Sequence, residues 1–359
     1  MFDLRRLLID VFDPQGGETV VVAVDLPGGA IADTAVWQAR RAMAADWRAT
    51  FAALGAERGF ETRPLLTYQA TGANNAELPG EATVAGMPVT LPDELLKATL
   101  AVFMTQYSAT APLDGLTRLK EDFRAASMPG IEKRMEDTAL SADYREVAGR
   151  CDVLARALEG ADTLDVRFST GHSCSFDLRF RRPEVDDGAL PRFKKGERVI
   201  NLPSGETYVV PYEGERADTP SRTAGILPVR VGAETALLHV SGNRIVSVEG
   251  DGPEAERLRT GFEVDPARRN VAEVAFGCND RAVVTGNVLE DEKAGFHWAF
   301  GRSDHLGGTV GVAAFTRREH VVHQDIVYAR GNPIQVAEAV VRRGALATTV
   351  IRDGDYILF

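Results

Sequence analysis

The sequence lacks the features that define several broad classes of protein. Its 359 residues include three cysteines, too few for a disulfide framework or a zinc site built from thiolates. No run of about 18 apolar residues occurs, so no transmembrane helix is predicted. The first residues, MFDLRRLLIDVFDPQ, have no apolar core or small-residue cleavage site typical of a secretory signal. These absences predict a soluble protein of the reducing cytoplasm.

The sequence also has fewer basic residues than acidic ones. The chain has 41 Lys and Arg against 52 Asp and Glu, a net charge of −11. Such a surface repels phosphate backbones, so neither nucleic acid nor a membrane is an expected partner. The composition is otherwise that of a globular protein, with 44% hydrophobic and 26% charged residues. The length predicts about two domains.

The first part of the chain, residues 1–160, alternates strand-like and helix-like segments. GETVVVAVDLPGG is a continuous apolar run ending in glycines, which is typical of a buried strand. Periodic apolar positions predict helices over Asp33–Gly55, Leu91–Tyr107 and Ala142–Leu158. This alternation predicts an N-terminal α/β domain with a mostly parallel sheet.

The second part, residues 161–359, has a different character. Short strand-like runs such as DTLDVRFST and TALLHVSGNRIVSVEG are separated by Gly, Asn and Asp at turns. One helix is predicted, over Gly252–Thr260. The pattern therefore predicts a strand-rich α+β domain, with the boundary near residue 160.

The segment HVVHQDIVY, residues 320–328, is the first candidate for chemistry. Side chains alternate along a strand, so His323 and Asp325 share one face, with their backbones about 7 Å apart. A ring nitrogen and a carboxylate oxygen there can converge on one cation. A His–Asp hydrogen bond in a half-buried strand explains the same pattern equally well.

Three glutamates lie in similarly unusual surroundings. Glu273 sits within the apolar run AEVAFGCN, where a carboxylate is costly unless it is paired or functional. Glu206 follows a Pro-Ser-Gly turn and, taken alone, also fits an exposed turn residue. Glu292 and His297 are five residues apart in EDEKAGFHWAFG, so they come together only if the chain turns between them.

Together these residues form one set of oxygen and imidazole donors without a thiolate. Such donors suit Zn²⁺, Co²⁺, Mn²⁺ or Fe²⁺. Four carboxylates and two histidines are enough for two metal ions, a pair that can activate a water and polarise a carbonyl. The candidate metal ligands are Glu206, Glu273, Glu292, His297, His323 and Asp325.

The motifs NLPSGE, AEVAFG, DEKAGFH with WAFG behind it, and HVVHQD occur in that order across about residues 195–330. This series resembles the M29 family of metallopeptidases, the aminopeptidase T or thermophilic aminopeptidase family. The resemblance implies a homodimeric aminopeptidase that acts on short peptides with two divalent ions. It places the metal ligands on the same six residues and makes Glu273 the general base as well.

One position departs from the family pattern. M29 enzymes usually carry a tyrosine seven residues after the histidine of the DEK motif, where it would stabilise the tetrahedral intermediate. Counting from His297, that position is Asp304, with His305 beside it. An ionised Asp cannot donate a hydrogen bond to an oxyanion, so His305 or Arg302 takes this role or the chemistry differs. Asp304 could instead hold the free α-amine of a peptide.

Two other functions fit the same residues. The chain also resembles 2,5-dihydroxypyridine dioxygenases, in which two histidines and a carboxylate hold one Fe(II), here His297, His323 and Asp325. The remaining buried carboxylates favour the hydrolase, because one iron needs fewer anions, whereas the missing tyrosine favours the dioxygenase. The third possibility is a non-catalytic protein that binds partners through metal, which would not require all six ligands.

Overall fold

The computed structural model describes residues 2–29, 31–196, 198–232 and 234–359. It divides into two compact units, each made of three chain segments. The first unit consists of 1–148, 186–205 and 279–293, and the second of 149–185, 206–278 and 294–359. Segments from the second half of the chain therefore complete the first unit.

The elements of the first unit alternate between helices and strands. In chain order they are α1 (Leu4–Phe12), β1 (Thr19–Leu26), α2 (Ala35–Arg58), β2 (Glu61–Thr62), β3 (Leu66–Gln69), β4 (Glu81–Val84), β5 (Met87–Thr90), α3 (Leu91–Lys97), β6 (Leu100–Met104), α4 (Thr110–Leu119) and β7 (Arg124–Ser127). Helix α5 (Tyr144–Leu158) crosses from the first unit into the second.

The second unit is built mainly of strands. Its elements are β8 (Thr163–Phe168), β9 (Ser173–Asp177), β12 (Glu206–Val209), β13 (Ala224–Val231), β14 (Glu234–Ser241), β15 (Arg244–Glu249), α6 (Pro253–Val264), β16 (Val271–Gly277), β17 (Gly295–Gly301), β18 (His323–Ala329), β19 (Val336–Arg343), β20 (Leu346–Arg352) and β21 (Asp355–Tyr356). Strand β10 (Glu184–Asp186) spans the division, and β11 (Val199–Asn201) and α7 (Val288–Asp291) belong to the first unit.

A mostly parallel sheet forms the centre of the first unit, in the order β11-β7-β6-β1-β3-β4-β5. The pairs from β11 to β3 are parallel, and β4 and β5 continue as antiparallel strands. Strand β1 is apolar on both faces: Val20, Val22 and Val24 join one core cluster, whereas Val21 and Ala23 join the other. A parallel sheet is covered on both sides, so both faces of its strands are apolar.

The helix predicted over Leu91–Tyr107 is wrong beyond its first two turns. Helix α3 ends at Lys97, and Leu100–Met104 forms β6, which lies between β1 and β7. All five residues of β6 are buried. A short apolar run of this kind has no periodicity that separates a central strand from a buried helix.

Antiparallel sheets dominate the second unit. One sheet has the order β10-β12-β16-β17-β18, and a larger one the order β15-β14-β13-β9-β8-β19-β20-β21. The pairs from β12 to β18 and all pairs of the larger sheet are antiparallel. The predicted fold class, an α/β part with a mostly parallel sheet and a strand-rich α+β part, is confirmed. Within the described ranges, no helix is both long enough and apolar enough to cross a membrane.

Asp25, near the end of β1, is a buried acid in the first unit. Both of its carboxylate oxygens accept the backbone N–H of Gln106, at 3.0 Å each. Burial raises the pKa of Asp25 from 3.8 to about 6, although the Gln106 N–H and the charge of Arg40 act in the opposite direction. The folded unit therefore holds a proton at Asp25 more tightly than the unfolded chain does.

We predict that Asp25→Asn changes the pH dependence of stability. An acid whose pKa is raised by folding carries no penalty below its unfolded pKa. The penalty develops as pH rises from the unfolded pKa to the folded pKa and is complete above the folded pKa. The stability of Asp25→Asn relative to wild type should therefore increase between about pH 4 and pH 7, by at most about 3 kcal/mol. Urea unfolding at several pH values measures this. The exposed Asp251→Asn is the control, and a difference that stays constant with pH contradicts the prediction.

Candidate metal centre

Five of the six predicted ligands lie on one face of the sheet β12-β16-β17-β18 in the second unit. The register pairs Glu206 with Gly277, His297 with Ala275, and Asp325 with Ala299. Even separations along each strand keep side chains on one face, so His297, Ala299 and Gly301 point the same way. His323 is opposite Gly301 and shares that face.

The opposite face of the same strands carries large apolar side chains. Val274, Phe276, Phe296, Trp298 and Phe300 are all buried there. On the ligand face, the neighbours that β16 and β17 supply are small, namely Ala275, Gly277, Ala299 and Gly301, whereas β12 and β18 supply the larger Tyr208 and Val327. Large residues therefore fix the sheet in the core, while small ones leave room for the polar side chains between them.

The first group of ligand atoms is formed by Glu206, Glu273 and His297, here called the Glu206 cluster. His297 Nε2 lies 3.4 Å from Glu206 Oε2 and 3.8 Å from Glu273 Oε1. The other ring nitrogen, Nδ1, donates to the carbonyl of Gly295 at 3.2 Å. His297 Nε2 is buried and has no hydrogen-bond partner among the described residues. A cation between these atoms would give this nitrogen a partner.

The second group, here called the Asp325 cluster, is formed by Glu273, His323 and Asp325. His323 Nε2 lies 3.0 Å from Glu273 Oε2 and 3.5 Å from Asp325 Oδ1. His323 Nδ1 donates to the carbonyl of Arg302 at 2.7 Å. The expectation that His323 and Asp325 converge on one face is confirmed by this geometry.

Both histidines show the arrangement typical of metal-binding imidazoles. A ligating histidine usually donates its other ring N–H to a carbonyl or carboxylate, which fixes the tautomer and the ring orientation. Here Gly295 and Arg302 supply backbone carbonyls for this purpose. Sequence reasoning missed these two contacts, and no signal could have shown them, because every residue carries a carbonyl.

Glu273 belongs to both clusters, one carboxylate oxygen facing each histidine. Burial alone raises the pKa of Glu273, but the nearby imidazoles of His297 and His323 outweigh it and lower that pKa to about 2. Burial likewise lowers the pKa of each histidine, and the surrounding carboxylates raise both pKa values well above 6.5. The buried carboxylates must therefore be compensated by nearby positive charge, which either protons on the rings or metal ions can supply.

The two histidines do not share a cluster. Among the described residues, ligand atoms within 4.8 Å of one another form the Glu206 cluster and the Asp325 cluster, and neither contains both rings. The trio His297, His323 and Asp325 is therefore not one compact group in this structure. Glu273 separates the rings and joins the clusters.

Glu292, the sixth predicted ligand, belongs to the first unit. Its Oε1 forms an ion pair with the buried Lys293 at 2.8 Å, and Lys293 also lies 3.4 Å from Asp186. Its assignment as a metal ligand stays a prediction from the sequence.

Asp304 and His305 lie on a short turn that follows β17. Arg302 Nε donates to Asp304 at 2.5 Å, and the carboxylate keeps 37% of its surface exposed. The His305 ring packs edge-on against His323, with centroids 4.9 Å apart. Burial, together with the charges of His323 and Arg302, lowers the pKa of His305 to about 4. The turn therefore places one acidic and one imidazole side chain beside the Asp325 cluster.

Comparison with solved structures shows what this fold is similar to. One similar structure is 2,5-dihydroxypyridine dioxygenase from Pseudomonas putida KT2440, with a TM-score of 0.64 and 16% identity over 99% of this chain and 96% of that chain. Another is wild-type AmpT from Thermus thermophilus, with a TM-score of 0.57 and 15% identity over 99% and 98%. No family model and no curated protein matches the sequence. The chain shares the fold of both families that its motifs resemble.

We predict that substitutions of single ligands affect metal binding at one cluster or at both, according to the clusters to which each residue belongs. Glu206→Gln and Asp325→Asn should each lower the metal content through loss of binding at one cluster only, because each side chain belongs to one cluster. Glu273→Gln should weaken both sites, and His323→Ala should lower metal content as Asp325→Asn does. Elemental analysis of protein purified in defined metal measures this. His239→Ala, in a strand of the larger sheet, is the control, and a wild-type metal content in His323→Ala contradicts the assignment.

Proposed function

We propose that this protein is a metal-dependent hydrolase with two divalent ions, an aminopeptidase of the M29 type. One observation carries the proposal: two three-residue clusters, each with one histidine, meet at the shared carboxylate of Glu273. A site for one ion needs a single group of ligands, whereas a site for two ions needs two groups joined by a bridging anion. The arrangement of the described residues is of the second kind.

The donor set fits the metals that such a hydrolase uses. Imidazole and carboxylate ligands without thiolates suit Zn²⁺, Co²⁺ or Mn²⁺. The Glu206 cluster would hold one ion and the Asp325 cluster the other, with Glu292 as the sixth ligand implied by the family resemblance. Bound there, the ions would supply Lewis-acid polarisation of a carbonyl and a water of lowered pKa.

Glu273 is the proposed general base, which takes the proton of the attacking water. Its position between the clusters puts the carboxylate close to both proposed ion sites. Each oxygen already faces a histidine nitrogen, so proton transfer requires one of these contacts to open. Loss of activity in Glu273→Gln would therefore combine lost ligation with lost proton transfer.

His305 is the proposed donor to the tetrahedral intermediate, in place of the family's tyrosine. The two candidates beside Asp304 are Arg302 and His305, and the Arg302 side chain is already held by Asp304. The imidazole of His305 lies against His323 and keeps 29% of its surface exposed. A neutral imidazole carries one N–H, which can donate to an oxyanion.

A short peptide with a free N-terminus is the proposed substrate, and a homodimer in the cytoplasm is the proposed form of the enzyme. The substrate's α-amine is a cation, and Asp304 offers an exposed carboxylate on the same turn as His305. The position that lacks the family's tyrosine would then select for free amino termini.

We predict that Asp304→Asn loses discrimination between free and acetylated N-termini. Removal of the charge eliminates an ion pair to the ammonium group but leaves an acetylated peptide unaffected. The kcat/KM ratio for a dipeptide and its acetylated form should fall by roughly 10-fold, or about 1.4 kcal/mol. Glu319→Gln, an exposed residue in the same stretch of chain, should leave the ratio unchanged. An unchanged ratio in Asp304→Asn excludes this role.

A mononuclear Fe(II) dioxygenase of the 2,5-dihydroxypyridine type is the second candidate function. Asp304 at the tyrosine position favours it, since a ring-cleaving enzyme needs no donor for a tetrahedral intermediate. The fold is also similar to the Pseudomonas putida enzyme over almost the full length of both chains. This function requires His297 and His323 to bind one iron together, and the separation of the two clusters argues against it.

One experiment separates the candidates. The protein is purified anaerobically without added metal, its metal content per chain is measured, and it is tested for dipeptide hydrolysis and for O₂ uptake with 2,5-dihydroxypyridine. Close to two Zn, Co or Mn ions with hydrolysis and no O₂ uptake is the expected result. About one Fe with O₂ uptake supports the dioxygenase. Bound metal without turnover of either substrate indicates a metal-dependent binding protein and overturns both enzyme proposals.

A further inference from the structure

We propose that Glu213, outside both clusters, is a positioning residue that orients His323 by holding the loop that carries Arg302. That loop, residues 302–310 (the 302–310 loop), follows β17 and also bears Asp304 and His305. The inference rests on the proposed metal-dependent function, because orientation of His323 is useful only if its ring binds an ion.

The carboxylate of Glu213 is almost fully buried, with 4% of the side chain exposed. Oε1 accepts the Ser303 hydroxyl at 2.6 Å and the Asn270 amide at 2.8 Å. Oε2 accepts both the backbone N–H and the hydroxyl of Thr309, at 2.6 and 2.7 Å, and lies 3.5 Å from Arg181. Glu213 therefore binds both ends of the 302–310 loop at once.

The held loop leads directly to His323. Arg302 donates its N–H to the carbonyl of Val322 at 2.7 Å, and its own carbonyl accepts His323 Nδ1 at 2.7 Å. Asn270, which donates to Glu213, also donates to the carbonyl of Gly301 at 3.1 Å. Movement of this segment would release the ring whose other nitrogen faces Glu273 and Asp325.

The interior of the loop leaves little freedom. Ser303 N–H donates to the carbonyl of Val310 at 2.9 Å, and Gly308 N–H donates to the carbonyl of Ser303 at 3.0 Å. A Cβ at Gly308 would lie 2.3 Å from Ser303 Oγ, so the backbone at Gly308 packs directly against the side chain of Ser303. A contact at Ser303 and Thr309 is therefore transmitted to the whole loop.

The partners of Glu213 explain why a carboxylate occupies this position. All five groups around it are donors, and an ionised carboxylate is an acceptor at both oxygens. A glutamine of nearly equal volume would turn an NH₂ group toward one pair of these donors. Glu213→Gln therefore removes the contact on one side of the loop without opening a cavity.

The experiment compares Glu213→Gln with Asp177→Asn in the full chain. Asp177 is a matched control, because its carboxylate is also fully buried and accepts the N–H groups of Arg179 and Arg222. Two quantities are measured: the affinity of the metal-free protein for Co²⁺ at each site, and hydrogen exchange of peptides that cover residues 302–310 and the segment around residue 222. Neither readout depends on turnover.

The expected result is that Glu213→Gln weakens one of the two Co²⁺ sites by roughly 10–100-fold, the loss typical when a group that orients a ligand is removed. The second site should keep its affinity, and exchange in residues 302–310 should accelerate. Asp177→Asn should accelerate exchange near residue 222 and leave both Co²⁺ affinities unchanged. If Glu213→Gln does not fold, Thr309→Val, which removes one hydroxyl contact, should show the same changes at smaller size.

Three outcomes overturn the inference. Unchanged Co²⁺ affinities in folded Glu213→Gln and Thr309→Val mean that Glu213 does not position His323, although the metal centre itself stands. Equal loss of affinity in Asp177→Asn means that the effect is one of general stability. A wild-type protein that binds no Co²⁺ fails at the first measurement, and this result rejects the proposed function together with the inference.

Discussion

The candidate metal centre of the second unit is arranged around one buried carboxylate. Glu273 lies in the middle of an apolar strand, where an isolated negative charge would be too costly to keep. It is held there by the imidazoles of His297 and His323, one on each oxygen. Those rings are oriented in turn by backbone carbonyls on their far sides. Removal of the carboxylate would leave the Nε2 atoms of both imidazoles without the partner that they share, while each Nδ1 stays bonded to its backbone carbonyl.

The antiparallel sheet accommodates these polar side chains because its two faces carry different kinds of residue. Strands β16 and β17 place large aromatic residues on the core face and small residues around the ligands on the other. The ligands therefore stand on hydrogen-bonded strands. Asp304, which differs from the M29 pattern, and His305 stand instead on the 302–310 loop, which bonds to Glu213 through Ser303 and Thr309. The residues proposed to bind ions thus lie on strands, and the residue proposed to select the substrate lies on a loop.

The shared fold accommodates both a peptidase family and a dioxygenase, so the fold alone does not choose between them. The distribution of the histidines does distinguish them in chemical terms. Two rings in one group of ligands suit a single Fe(II), whereas one ring in each of two groups suits a pair of Lewis-acidic ions. In the described residues Glu273 separates the rings, which favours the pair.

Local patterns in the sequence determined much of this protein. The long α2 and the same-face placement of His323 and Asp325 follow from periodicity, because side chains repeat every 3.6 or 2 residues. The continuous apolar run that ends in glycines identified β1 as a buried strand. The sequence pattern did not identify β6 as a strand, since its five apolar residues fit a helix equally well. Strand pairing between distant segments decided the rest: it brought Glu206, Glu273 and His297 together, placed the carbonyl of Arg302 behind His323, and enclosed Glu213. Those contacts join residues far apart in the chain, and no local pattern records them.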